Sequence, residues 1–155
     1  MSKIGKNLKN LNITLTKPTT PAANYLPYRI SGNQIYISGQ LPIKDGELIY
    51  EGKLGKNVSI EQGQKAAQLC AINIISVLNE ACEGNLERVK KCVKLGIFIN
   101  STPDFYQSPQ VGNGASNLLV EVFGEEVGRH ARFALGVSSL PRNAAVEIDA
   151  IFELC

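Results

Sequence analysis

The sequence predicts an α+β fold in which two long helices cover one face of a sheet of antiparallel-looking strands. Three patterns carry that expectation. Ala67, Cys70, Ala71, Ile74, Leu78 and Ala81 recur at helical spacing behind the capping pair Ser59 and Gln62. Ala115, Leu118, Leu119 and Val122 repeat the stripe between Ser108-Pro109 and Gly124. Val146, Ile148, Ala150, Phe152 and Leu154 alternate with Ala145, Glu147, Asp149, Ile151 and Glu153, the period of a strand with one apolar and one mixed face. Elements with a single apolar side must bury it against another layer, and one sheet face under two helices does so.

In chain order, Ile4, Leu8 and Leu11 predict a short first helix, and Thr16 to Ala23, with Pro18 and Pro21, an extended connector. Together these make residues 1–23 an N-terminal appendage to a single domain spanning 1–155. Tyr28 to Ser31 and Gln34 to Ser38 read as two strands around Gly32-Asn33, a dipeptide suited to the positive dihedrals of a tight hairpin. A third strand, Glu47 to Tyr50, follows the Asp45-Gly46 turn. The first long helix then runs to Gly84-Asn85, Cys92 to Asn100 is a buried strand, and Gly112-Asn113-Gly114 precedes the second long helix. Strands near Arg132 to Val137 and from Ala144 to Leu154, with a turn at Leu140 to Asn143, complete the order ββ(β)αβαββ. The mixed face of the last strand, with Ala145 and Ile151 among acids, suits a subunit contact and a closed homo-oligomer.

A chain of 155 residues can bury roughly two thirds of its unfolded surface, and 44% hydrophobic with 19% charged residues is an ordinary globular balance. The net charge of +2 is too small for a phosphate track, and the few aromatic residues offer no stacking platform, so nucleic acid is not an expected partner. Lys3, Lys6 and Lys9 read as the solvated side of the first helix. The polar, lysine-rich start lacks the apolar core of a secretion signal, and the run from Ala71 to Leu78 is too short for a bilayer; a cytoplasmic protein with no membrane partner is expected.

Cys70, Cys82, Cys92 and Cys155 are widely spaced, and His130 is the one histidine, so a zinc site lacks ligands and reduced, packed thiols are the expectation. Gly52 to Asn57 has a phosphate-loop look but the wrong spacing, and Asn57 stands where a metal-binding hydroxyl belongs. Gly112-Asn113-Gly114 lacks the dinucleotide pattern. There is no G-x-S-x-G elbow, and one histidine cannot supply both acid and base of a two-histidine ribonuclease.

Gly128-Arg129-His130-Ala131-Arg132-Phe133-Ala134-Leu135-Gly136-Val137, then Leu140-Pro141, then Val146-Glu147-Ile148-Asp149-Ala150-Ile151, resembles the C-terminal signature of the RidA (YjgF) family. Ser38-Gly39-Gln40-Leu41-Pro42 is similar to its N-terminal S-G-Q-x-P motif, and the likeness runs from Tyr25 onward. It implies a chorismate-mutase-like fold assembled as a homotrimeric barrel with sites between subunits. It also implies cofactor-independent hydrolysis of reactive enamines and imines, such as 2-aminoacrylate, to 2-keto acids and ammonia.

By the same resemblance, Arg132 binds the substrate carboxylate, for which a planar guanidinium is apt. Read from the residues alone, an arginine entering a strand is more commonly a structural ion-pair partner. Glu147 takes the position of the glutamate that orients the attacking water, Tyr25 that of a tyrosine closing over the ligand, Ser38 that of a nearby hydroxyl, and Asn113 that of an asparagine ahead of the second helix. The catalytic pair is thus Arg132 and Glu147; the binding set is Arg132, Tyr25, Ser38 and Asn113; no metal or cofactor is called for. Ala23-Asn24, His130 and Ala134 depart from the family's usual Gly-Pro, Pro and Cys, and the chain carries a longer N terminus and insertions. Two other readings follow: a non-enzymatic sensor of a small carboxylate metabolite, and, from the family's naming, an endoribonuclease or translation inhibitor.

Overall fold

A computed structural model describes residues 1–155. The elements are α1 (Lys3–Asn10), β1 (Tyr28–Ser31), β2 (Gln34–Gln40), β3 (Ile43–Lys44), β4 (Glu47–Leu48), α2 (Ile60–Ala81), β5 (Val89–Asn100), α3 (Ser108–Phe123), α4 (Glu125–Gly128), β6 (Ala131–Val137) and β7 (Val146–Leu154), with single 3-10 turns at Leu86–Arg88 and Pro141–Asn143. Five strands form one open sheet in the order β1-β2-β7-β5-β6, and β3 pairs only with β4 in a small separate ribbon.

The local signals act where the sequence places them. Ser59 Oγ accepts from the Gln62 backbone and the Gln62 side chain accepts from the Ser59 backbone, closing a reciprocal cap on α2. Only Gly32 of the first hairpin has positive φ, 61°, whereas Asp45 (52°) and Gly46 (79°) both do, so the two turns belong to different mirror-image types. Tyr50 is left-handed at φ 59°, and the strand expected over Glu47 to Tyr50 ends as β4 at Leu48.

The sheet is not wholly antiparallel. β5 and β6 run parallel, Leu95 beside Arg132 and Ile97 beside Ala134, because α3 carries the chain back across the sheet between them. In β7 the odd partners of the expected alternation hold: Val146, Ile148, Ala150, Phe152 and Leu154 are buried while Glu147, Asp149, Ile151 and Glu153 face outward. Ala145 leaves that outward set, since it precedes the strand and is fully buried. α2 and α3 pack on each other and on the apolar face, forming one core of 33 residues that also takes in Ile4 and Leu8 of α1. The lysines of α1 point to solvent.

Gly112-Asn113-Gly114 lies inside α3, not ahead of it, and packing explains the glycines. A Cβ at Gly114 would fall 2.2 Å from the Gln64 carbonyl oxygen of α2. Cys70, Cys82 and Cys92 are free and buried, and Cys155 is free and exposed. Burial pushes the Cys92 thiol up to about 12 and raises Cys70 well above its ordinary value. Lys53, in the rejected phosphate-like loop, donates to Asn100 Oδ1 at 2.7 Å and to the Ser138 carbonyl, tying that loop to the end of the sheet. No helix is long and apolar enough to cross a membrane.

Candidate active site

Arg132 enters the edge strand β6 on the helix-covered face, since its register partner is the buried Leu95. An edge position beneath α3 lets a cation sit there half-buried with its tip in a cleft. Nη1 donates to Ser116 Oγ at 3.0 Å and Nη2 to the Pro109 carbonyl at 3.1 Å. Gly112 leaves the room: a Cβ there would stand 3.2 Å from Nη1. The chain's two ion pairs are Lys90 with Glu153 and Arg129 with Glu125, so Arg132 has no carboxylate of its own. Within one chain Arg132 therefore makes no ion pair. With two of five N–H donors engaged by neutral acceptors, three remain for an anion, and a partly desolvated charge gains from acquiring one.

The cleft beside it measures about 260 Å³ and is walled by Asn113, Ser116, Asn117 and Val120 of α3 together with Arg129 and His130. Asn113 thus does share a site with Arg132, although from within the helix, where it cannot act as a cap. His130 Nδ1 lies 2.7 Å from the Gly128 carbonyl and Nε2 2.9 Å from Ser116 Oγ. Burial lowers the imidazole's proton affinity, the Gly128 hydrogen bond raises it, and the Arg132 charge lowers it again, with a net downward shift.

Glu147, Ser38 and Tyr25 form a second group on the other side of the molecule. Glu147 pairs in register with Phe98 on the open sheet face, and its Oε1 lies where a Cβ of Gly39 would be, 2.5 Å away, so the glycine of the S-G-Q motif makes room for it. Burial first, and Asp149 second, raise its carboxyl above the ordinary value. Asp149 lies two residues on, on the same face, and has no cationic partner in the chain. Between Ile37 and Gln40 the β2–β7 register shifts, and in this irregular stretch Ser38 Oγ donates to the Leu26 carbonyl at 2.6 Å. Tyr25, one residue earlier, is 59% exposed.

Within one chain, then, the five expected residues fall into two sets. Arg132 and Asn113 lie at the β6 edge under α3; Tyr25, Ser38 and Glu147 lie toward the β1–β2 edge. β7 and β6 are two strand spacings apart, about 10 Å, and Glu147 and Arg132 point to opposite faces. Ser116 and His130 are site residues that the sequence reading does not single out for a role. Their signal is spacing: 113, 116, 117 and 120 share one helical face, and 130 and 132 share one side of an extended segment. No three His, Cys, Asp or Glu side chains converge as a metal site.

A family model described as "YjgF/chorismate mutase-like, putative endoribonuclease" matches residues 7–154, extending the likeness to within α1, well before Tyr25. Protein TCP17 of Trypanosoma cruzi is 48% identical over 152 residues, 98% of this chain and 94% of that protein. The solved structure of Atu1372 from Agrobacterium tumefaciens is 46% identical with a TM-score of 0.93, covering 99% of this chain and 93% of that one. RidA from an Antarctic Psychrobacter is 25% identical with a TM-score of 0.57, covering 89% and 94%. On its fold, its motifs and the span of that match, the chain belongs to the YjgF/chorismate-mutase-like family.

Proposed function

We propose that the chain hydrolyses reactive enamine and imine intermediates, such as 2-aminoacrylate, to 2-keto acids and ammonia without a cofactor. The observation that carries this reading is Arg132: a half-buried guanidinium, held by two neutral acceptors, with three donors free and no carboxylate beside it. A 2-imino acid places its carboxylate on those donors, which fixes the C=N carbon in the cleft. Water adds to that carbon, a proton passes from the water oxygen to nitrogen, and the resulting carbinolamine collapses to ketone and ammonia. Positioning supplies most of the acceleration.

Glu147 reaches such a ligand only from a neighbouring copy, because its own chain puts it on the opposite face. We therefore place the site between subunits of a homotrimer. Supporting this are the apolar groups left on the open face, Tyr36 and Leu135 among them, beside the edge-to-face pair Phe98 and Phe133, whose centroids are 5.3 Å apart. The test is keto-acid formation from freshly generated 2-aminoacrylate, with light scattering for mass. Wild type accelerates it as a trimer and Arg132→Ala does not; equal rates would end the enzymatic reading.

The absence of Glu147 from the intrachain cleft favours one second reading, a sensor of a small carboxylate metabolite. Calorimetric binding of pyruvate, lost in Arg132→Ala, with no imine hydrolysis by wild type, selects it.

A further inference from the structure

The Arg132 cleft contains a hydrogen-bonded chain that the proposed hydrolysis leaves idle, and its hydrogens can be assigned. The Gly128 carbonyl only accepts, so His130 Nδ1 carries a hydrogen. In the neutral ring Nε2 is then bare and accepts from the Ser116 hydroxyl, whose oxygen accepts in turn from Arg132 Nη1. The Ser116 hydrogen is directed at the histidine and away from any ligand. A protonated ring reverses the middle bond. Nε2–H now donates to Oγ, and the Ser116 hydrogen has to find another acceptor. Arg132 has only donors and cannot be that acceptor. A carboxylate seated on the free donors of Arg132 can, because the guanidinium is itself 3.0 Å from Oγ.

We propose that Ser116 is a second carboxylate-binding residue of this cleft, and that His130 is its positioning residue, turning the Ser116 hydroxyl toward the ligand when the ring is protonated. This rests on the reading of Arg132 as a carboxylate anchor. Ligand and proton are then linked: the carboxylate raises the affinity of His130 for its proton by the factor that acid raises affinity for the carboxylate. The direction matters because burial and Arg132 disfavour protonation in the empty cleft. The charged groups around the ring are Arg132 beyond Ser116, Arg129 beside it with its partner Glu125 at 3.7 Å, and Glu121 of α3 in the adjoining groove with Arg129.

His130 is the sole histidine, so one imidazole resonance reports its titration directly and separates it from Glu121 and Glu125. The experiment follows that resonance by NMR from pH 5 to 8, with and without saturating pyruvate, and measures pyruvate binding by calorimetry at pH 5.5 and 7.5. Pyruvate is expected to raise the midpoint by about 0.7 unit and to bind about threefold more tightly at the lower pH, toward a limit of about fivefold. Ser116→Thr, which keeps the hydroxyl, should retain both effects. Ser116→Ala should bind pyruvate with both effects cut to the part that the charge on Arg132 alone supplies. His130→Gln should bind with no pH dependence. A midpoint unmoved by bound pyruvate overturns the proposal and leaves the Arg132 anchor standing. A shift as large in Ser116→Ala as in wild type assigns the coupling to charge alone and removes Ser116 from the site. No pyruvate binding at either pH overturns the anchor and this inference together.

Discussion

Gly112 and Arg132 share one pocket of space: a methyl group on the glycine would stand 3.2 Å from Nη1, with Ile97 Cδ1 at 3.1 Å and Ala134 Cβ at 3.2 Å. In a helix, alanine in place of glycine is favoured by about 1 kcal/mol. The guanidinium and Ile97 can each give a few tenths of an ångström. Gly112→Ala is accordingly expected to leave the melting temperature nearly unchanged while displacing Arg132 and weakening pyruvate binding about tenfold, the loss of one charge-assisted hydrogen bond. Calorimetry beside thermal melts checks the separation.

Two positions along, the same substitution has the opposite balance. A Cβ at Gly114 meets backbone, the Gln64 oxygen at 2.2 Å and its carbonyl carbon at 2.8 Å, so two helices must move apart. Gly114→Ala should cost about 3 kcal/mol in urea unfolding despite its helical gain. A stability equal to wild type would show that the α2–α3 contact is looser than described.

Glu147 is held in its protonated form more readily than an ordinary carboxyl, whose value is 4.5. The folded chain then binds that proton more tightly than the unfolded one. The resulting stability is present below 4.5 and is lost as pH rises through the folded value. Glu147→Gln removes the loss, so its melting temperature should exceed wild type at pH 7 and converge with it at pH 4. Parallel melts with no gain at pH 7 would contradict this.

Asn100 is fully buried at the end of β5. Its Nδ2 donates to the Gly52 carbonyl at 3.0 Å and to Asn143 Oδ1 at 3.1 Å, and its Oδ1 accepts from Lys53. Asn100→Leu leaves the Gly52 carbonyl and the ammonium without that partner, and should destabilise by about 3 kcal/mol. Chemical denaturation measures it.

Thiol chemistry tests the packing itself. With Cys70, Cys82 and Cys92 buried and the first and last of these held far from ionisation, one thiol per chain, Cys155, should react with iodoacetamide under native conditions and four in urea. Mass spectrometry counts them.

What a sequence shows best is what a few neighbouring residues decide. The cap of Ser59 on α2 is such a case, as is the alternation along β7, because both are complete within one stretch of chain. Ser108-Pro109 marks the start of α3 correctly, but Gly112-Asn113-Gly114 is misplaced ahead of the helix because Gly112 and Gly114 carry the mark of a loop, while their purpose is the approach of Gln64 and Arg132 from other elements. The parallel pairing of β5 with β6 depends on the route of α3, and Tyr50's left-handed backbone on the ribbon around it. Motif likeness points to Arg132 and Glu147 separately but says nothing of their facing apart. Ser116 carries only its helical spacing with Asn113, Asn117 and Val120; it is the meeting of α3 with β6 that makes it a neighbour of His130 and Arg132.

The place of β7 in the middle of the sheet has a bearing on how the chain is made. Gln34 pairs with Glu153, about 120 residues further along, and β7 also supplies the seam to β5. A ribosome adding about 10 residues per second leaves the β1–β2 hairpin waiting on the order of ten seconds for its partner. Until then two half-sheets, β1–β2 and β5–β6, each expose an unpaired edge and an apolar face. Folding of this chain is thus a late, cooperative event that closes when Val146 to Leu154 threads between the halves, and any product cut short before Val146 should be a client for chaperones rather than a smaller version of the protein.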